Sequence, residues 1–452
     1  MVARFPQAVG NSSIARASSS FAAWYAMGVL MLATLFSFID RYIFNLLLPQ
    51  IEHDLHLSDT KASLLQGVAF GIFYSVMAVP FGLLVDRTNR RNLVAVGITL
   101  WTVATILCGM SSSFSQLLAA RVGVGVGEAV LMPAAMSIIV DLFPAERRGR
   151  ALGIFTTAVF IGGGGSSLVG GAVLAGFGAR HLVVLPLFGA IAVWKAAFIT
   201  VASPGLLVAL LALTFREPPR QITPQMVEAR HSKSSILAYM RQHPAPFYYV
   251  LGSHTIFTFV SFAFFPWVPT LFIRSYHVTG AQAGFAVGLG TLGMGIVGSL
   301  IAGWLGDRWT RQNRVGAKFR LTLLWWIGMV PTTILTVLSG NLVLAAVFFA
   351  IYHMFNCFAY ASASATMQDM VPDDLRGRTA AMWFLVTGVI GQGFGPLSTA
   401  LVTDRIFHNQ MDLRYSIIVV MVPSAIAGLL ITWFGLRPYD RLRLWQRAAA
   451  NR

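Results

Sequence analysis

Apolar residues run along this chain in twelve blocks, at approximately 22–48, 62–85, 92–111, 114–140, 149–175, 182–214, 247–273, 280–306, 319–339, 342–368, 378–403 and 413–435. A helix needs roughly 20 residues to cross a bilayer core, and each block is long enough. Short polar loops separate the blocks, apart from the longer stretch 215–246. The pattern predicts an all-α membrane protein with twelve transmembrane helices. Its domains are expected as a tail at 1–21, six helices over 22–214, a linker at 215–246, six more helices over 247–435, and a basic tail at 436–452. The linker holds Pro218, Pro219 and Pro224, then an amphipathic run near 225–241 suited to a membrane interface.

The two sets of six are related. Gly82-Leu83-Leu84-Val85-Asp86-Arg87, followed by Arg90 and Arg91, is echoed half a chain later by Gly303-Trp304-Leu305-Gly306-Asp307-Arg308. The run Asp141-Leu142-Phe143-Pro144-Ala145-Glu146-Arg147-Arg148-Gly149-Arg150 returns as Asp369-Met370-Val371-Pro372-Asp373-Asp374-Leu375-Arg376-Gly377-Arg378. The step from Gly82 to Gly303 and the step from Asp141 to Asp369 are nearly equal. In each half these phrases follow the second and fourth spans. Two ordered pairs at nearly one offset mark a tandem duplication, the arrangement expected of a transporter with two parallel halves around a midplane site.

Composition narrows the reading further. Only 11% of residues are charged, against about 25% in a soluble domain. The net charge of +16 would suggest nucleic acid in a soluble protein, but its placement answers otherwise. With both termini on one side, the segments there carry 25 of the 33 Lys and Arg; the opposite face has only Lys61, Arg180, Arg274, Arg405 and Arg414. This asymmetry predicts cytoplasmic termini, in a plasma or inner membrane, with anionic-lipid contact as a secondary role for the charge. Nucleic acid is not expected as a partner. Two cysteines, Cys108 and Cys357, lie inside predicted helices and offer neither a disulfide framework nor a thiolate metal site. Residues 1–21 lack the short apolar core of a cleavable signal, so the first helix is expected to direct insertion. No cofactor is expected, and a monomer is.

The Gly-x-x-x-Asp-Arg-x-x-Arg-Arg phrase between spans two and three, with its degenerate copy between spans eight and nine, resembles the signature loop of the major facilitator superfamily. Phe38-Ile39-Asp40-Arg41-Tyr42 in helix 1, Arg121-Val122-Gly123-Val124-Gly125-Val126-Gly127-Glu128 in helix 4, and the Arg-Gly-Arg turn after Asp141-Leu142-Phe143 resemble the Spinster-like branch. The resemblance implies a major facilitator fold and alternating access. For the narrower branch it implies proton-linked movement of lysophospholipids and sphingoid phosphates. It further implies that Asp86, Arg87, Arg90, Arg91, Asp141, Arg150, Asp307, Arg308, Asp369 and Arg378 form cytoplasmic gating latches between the halves.

Four charges inside predicted spans ask for a reason, since each costs about 2.5–3.5 kcal/mol at the bilayer centre. At about 1.5 Å per residue, Asp40 lies about 13 Å and Arg121 about 10 Å below the outer surface, so the two can meet if their helices are neighbours. Glu128, two helical turns beyond Arg121, falls on nearly the same helix face, so the pair should line one wall. Arg121 offers a fork of donors to a phosphate or carboxylate headgroup, and Glu128 and Asp40 are candidates for proton coupling. A fixed Asp40–Arg121 ion pair is the competing reading. Arg41, about 100° round the helix from Asp40, is a second headgroup candidate or reaches outward to the interface.

The second half lacks this set: at the repeat offsets Glu128 corresponds to Asn356, Arg121 to Phe349 and Asp40 to Val260. Aromatic residues take its place. The expected cavity lining is Tyr42, Phe257, Phe262, His353, Asn356 and Tyr360, a greasy wall opposite a charged one. Any single Phe there could instead face lipid, and His254 and His353 could be hydrogen-bonded core residues.

Several leads close. Gly123, Gly125 and Gly127 lie in a span and not after a strand, so they form no dinucleotide loop. The absence of a Gly-Lys-Ser or Gly-Lys-Thr sequence argues against ATP as the energy source. Gly153, Gly162, Gly170 and Gly171 in helix 5 resemble the antiporter motif, with Ser166-Ser167 where Gly-Pro is expected; close helix packing explains them equally well. The expected function is proton-coupled secondary transport of a lysolipid-like or other amphipathic organic anion. A multidrug antiporter, an organic-acid symporter and a non-transporting membrane sensor are the rivals. An intramembrane enzyme is not expected, because no catalytic constellation shares one depth.

Overall fold

The computed structural model describes residues 20–450 except 179, 187, 221–234 and 313. Among them are twelve helices long and apolar enough to span a membrane: α1 (Phe21–Leu55), α2 (Asp59–Val85), α3 (Arg90–Met110), α4 (Phe114–Leu142), α5 (Glu146–Phe177), α6 (Val193–Ala212), α7 (Pro244–Tyr276), α8 (Gly280–Arg311), α9 (Ala317–Leu338), α10 (Leu342–Asp369), α11 (Asp373–Phe407) and α12 (Gln410–Ala449). The protein is a multi-pass integral membrane protein. The tail 1–19 and most of the amphipathic run near 225–241 lie outside the described residues; Ile236–Gln242 forms a short helix.

Helix starts follow capping chemistry, and the caps repeat with the duplication. Ser58 caps α2 by accepting from the Lys61 amide, and its repeat partner Thr279 closes a capping box with Gln282 at the start of α8. Ser113 caps α4, and its repeat partner Asn341 caps α10. His56 and His277, equivalent in the same way, both end a helix in the left-handed conformation.

Two differences from the sequence reading concern boundaries. The block 182–214 begins as an antiparallel hairpin, β1 (Leu182–Leu185) against β2 (Gly189–Ala192), and helix starts only at Val193. Val183 and Val184 are β-branched and Gly189 needs a positive φ, so the hairpin wins locally. At the other end, α12 continues as helix through the basic segment after 435. That extension is held on the face where both described chain ends lie, called here the terminal face. Phe247, Val250, Phe319, Met370, Leu375 and Tyr439 cluster there. The Gln446 amide donates to the Met370 carbonyl at 2.9 Å, and Tyr239 donates to the same oxygen at 3.2 Å.

The halves meet along two seams, α5 with α8 and α2 with α11. At the first, Gly164 packs against Leu292, Gly288 against Leu168 and Gly284 against Gly171. At the second, Gly67 lies under the Gly393 carbonyl and Gly71 under Gln392. Both α2 and α11 widen into π-helical turns at this contact, over Leu64–Ile72 and Gly388–Gly393.

Candidate functional site

The intramembrane charges of the first half come together, though not in the expected pairs. Arg41 turns inward and binds Glu128, with Nη2 and Nε at 2.5 and 3.1 Å from one carboxylate oxygen. Ser37 donates to that same oxygen at 3.0 Å. The Arg41 guanidinium lies over Phe70 at 4.5 Å and Tyr74 at 4.6 Å, and its side chain keeps 12% exposure. The reading in which Arg41 reaches the interface is therefore corrected: a long arginine on the neighbouring helix face can swing back, and the buried Glu128 gives it a partner that lipid does not.

Arg121 does not pair with Asp40 as a hydrogen-bonded couple. Its Nε donates to the Leu65 carbonyl at 3.3 Å, inside the wide turn of α2. Its guanidinium rests over Phe44 at 4.6 Å and Phe70 at 5.2 Å. A π-helical turn offsets the regular ladder and leaves a carbonyl available to such a donor. Asp40 is fully buried beside Arg121, Glu128 and Trp101, and neither of its carboxylate oxygens meets a hydrogen-bond donor in good geometry. Buried polar groups are nearly always partnered, so such an exception calls for a reason.

Arg41 and Arg121 both open on a cavity of about 20 Å³, which is shared with Tyr42, Asn45, Gln66, Phe70, Phe262, Pro266 and Gln392. Tyr42 and Phe262 are among its lining residues. Phe257 does not line this cavity; it is buried against Trp325 and Tyr360, at 4.6 and 5.0 Å between ring centres. Asn356 is buried too, accepting from Ser261 at 3.5 Å. His353 lies tilted against Phe265 and Phe349, with ring centres 6.0 and 6.3 Å apart. Tyr360 is 47% exposed. Hydrogen-bonded core histidines are not what the structure holds: both ring nitrogens of His254, and Nδ1 of His353, are buried without a partner. The carboxamides Asn45, Gln66 and Gln392 were missed, because polar uncharged residues scattered through apolar spans do not stand out in sequence.

The basic loops form clamps within each half. Arg90 is almost fully buried and binds Asp141, Ser137, Glu217 (2.7 Å) and the Pro218 carbonyl (2.8 Å). Arg220 caps the end of α2 through the carbonyls of Val85, Asp86 and Thr88. In the second half Lys318, which the step from Asp141 to Asp369 relates to Arg90, pairs with Asp369 at 2.9 Å, and nearby Arg320 pairs with Asp440 at 2.6 Å. Arg87 lies in the turn after α2, and Arg91, Arg150, Asp307, Arg308 and Arg378 lie on helix ends at the terminal face, with Arg308 over Trp304 at 5.2 Å. The bonds of Arg90 stay within the first half and the adjoining linker, and that of Lys318 within the second half, unlike the expected latch between halves. A cross-half latch is found on the opposite face, and sequence reading missed it. Arg274 of α7 binds Glu52 of α1 at 2.7 Å and Asp59 of α2 at 2.8 Å, while the Thr60 amide donates to Asp404 of α11 at 2.7 Å.

This arrangement, two six-helix halves around a charged cavity, has relatives. The profile of the Major Facilitator Superfamily matches residues 30–396 and 250–449. The chain belongs to the Major Facilitator Superfamily. It is Spinster-like: it is 28% identical over 409 residues to protein spinster homolog 1 of Homo sapiens, covering 85% of this chain and 73% of that one. It is also similar to an MFS-type efflux pump of Mycolicibacterium smegmatis, 25% identical over 438 residues, covering 96% and 98%. In fold, this facilitator matches a bacterial homolog of the human lysosomal transporter Spinster, captured inward-facing and unoccupied. That match has a TM-score of 0.75 at 24% identity and covers 94% and 98% of the two chains. A D-xylose–proton symporter matches at 0.67 and 16% identity, covering 91% and 97%. This facilitator is therefore a membrane transporter.

Proposed function

We propose that this chain is a proton-coupled secondary transporter of lysolipid-like amphipathic anions, working by alternating access as a monomer, with its terminal face in the cytoplasm. The observation that carries the reading is Asp40, fully buried next to Trp101 and Arg121 and outside the Arg41–Glu128 ion pair, while the Arg121 guanidinium opens on the cavity. Glu128 is held by Arg41 and Ser37. Asp40 stands outside that pair, so it is the carboxyl that gains or loses a proton without dismantling it. Arg121 supplies the fork for a phosphate or carboxylate head, and Tyr42, Phe262 and the exposed Tyr360 flank the path of an apolar tail. Membrane lipids reach the protein along the exposed apolar flanks of the helices. One proton crossing 100 mV supplies about 2.3 kcal/mol, enough for roughly a fiftyfold gradient.

The test is uptake of labelled lysophospholipid into proteoliposomes under an imposed pH gradient. Wild type is expected to accumulate lipid. Asp40→Asn should lose gradient-driven accumulation yet keep exchange, and Arg121→Ala should lose both. Full accumulation by Asp40→Asn overturns the coupling role, and silence of wild type under every gradient overturns the lipid cargo. The similarity to an efflux pump favours drug–proton antiport as the second reading; it gains if lysolipid uptake is silent while hydrophobic drugs move with the same gradient.

A further inference from the structure

Gln66 keeps only 7% exposure, and it lines the cavity beside both arginines. Its amide nitrogen donates to Asn45 Oδ1 of α1 at 3.3 Å and, across the halves, to the Pro266 carbonyl of α7 at 3.3 Å. A backbone carbonyl is only an acceptor, so the Pro266 contact fixes which way the carboxamide points. That orientation leaves Gln66 Oε1 buried with no donor. A carboxamide oxygen left unmet in an apolar site costs free energy, and any N–H or O–H brought to it recovers that cost.

The aromatic neighbours sharpen the point. The Phe70 ring already carries the guanidinium of Arg41 at 4.5 Å and of Arg121 at 5.2 Å. Its face is therefore taken and offers no further cation–π contact to a quaternary ammonium. Arg121 and Gln66 line one cavity; Arg41 there is already held by Glu128, and Gln66 adds a buried acceptor that no donor meets.

We propose that Gln66 Oε1 is a specificity subsite for a hydrogen-bond donor on the cargo headgroup, next to its anionic group. This rests on the amphipathic-anion reading above and deepens it. The anion is held from the arginine side, while an ammonium N–H or a hydroxyl reaches Gln66. Heads carrying such donors are selected over a trimethylammonium head of the same charge and tail.

The experiment measures uptake by the full-length protein in proteoliposomes, using lysophosphatidylethanolamine and lysophosphatidylcholine with the same acyl chain. Wild type should prefer the ethanolamine head by about tenfold, the scale of one hydrogen bond in a closed site. Gln66→Met, near in size and without a strong acceptor, should level the two rates, read as the ratio of ethanolamine-head to choline-head uptake. Thermal unfolding of Gln66→Met verifies folding. Equal transport of both lipids by wild type, or a preference surviving in Gln66→Met, overturns the subsite and leaves the lipid reading standing. If wild type moves neither lipid, the lipid reading fails and the subsite falls with it.

Discussion

The α5/α8 and α2/α11 seams are copies of one another under the duplication, and they are built differently. The step that relates Gly82 to Gly303 also carries Gly67 to Gly288 and Gly71 to Leu292; the step that relates Asp141 to Asp369 carries Gly164 to Gln392 and Leu168 to Pro396. Corresponding positions therefore touch at both seams. At α5/α8 a side-chain carbon added at Gly288 would meet Leu168, with its Cγ at 2.6 Å. At α2/α11 the same addition at Gly67 would meet backbone, the Gly393 and Gln392 carbonyl oxygens at 2.5 and 2.8 Å. One seam is regular helix on regular helix; the other is wide turn on wide turn. π-helical turns hold poorer backbone bonding and concentrate at functional sites. On the alternating-access reading proposed above, α5/α8 is expected to act as the pivot and α2/α11 as the seam that changes contacts, beside Gln66, Leu65 and the cavity.

The sharpest way to break this assignment is to tie each seam in turn. A disulfide between Gly71→Cys and Gln392→Cys is expected to abolish transport, while one between Gly164→Cys and Leu292→Cys leaves most of it, read as uptake before and after reduction. Equal loss at both seams would end the distinction. Next in size is Gly67→Ala against Gly288→Ala. The first must displace two backbone carbonyls and should lower transport at least tenfold with the far face more open to thiol labelling; the second meets mainly the Leu168 side chain, with that residue's backbone nitrogen at 2.9 Å, and should cost less.

Arg274→Ala probes the latch above the seams. It leaves Glu52 and Asp59 buried without their cation, a loss of about 3–5 kcal/mol for a buried pair. Labelling of cysteines placed at the far face should rise accordingly, and unchanged labelling would remove Arg274 as a latch. The smallest effects are expected at the terminal-face clamps. Arg90→Ala should lower thermal stability measurably, because Arg90 is buried with two acidic partners. Lys318→Ala, at a site 39% exposed, should change stability by less than about 1 kcal/mol. A Lys318 effect matching that of Arg90 would show that burial does not set the rank.

The relation between the halves and the membrane class were legible from Asp86/Asp307, Asp141/Asp369 and the spacing of apolar blocks. The hairpin was not, because Leu182-Val183-Val184-Leu185 reads equally as the start of an apolar helix. The charged set was legible because Asp40, Arg41, Arg121 and Glu128 stand out in apolar spans. Its pairing was not. Depth placed Asp40 opposite Arg121, but Arg41 is long enough to cross to Glu128, while Arg121 found a carbonyl that only a wide turn in α2 releases.

By itself the sequence determined the number of spans, the duplication, and which charges must be accounted for within the bilayer. Those follow from the cost of exposing polar groups to lipid, a cost each segment bears locally. Only the tertiary structure decided which arginine holds which carboxylate, that Asp40 stays outside that ion pair, and that Gln66, Pro266 and Arg274 join the two halves. Such choices depend on side chains from helices far apart in the chain arriving at one place. The sequence periodicity that builds each helix carries no information about that meeting.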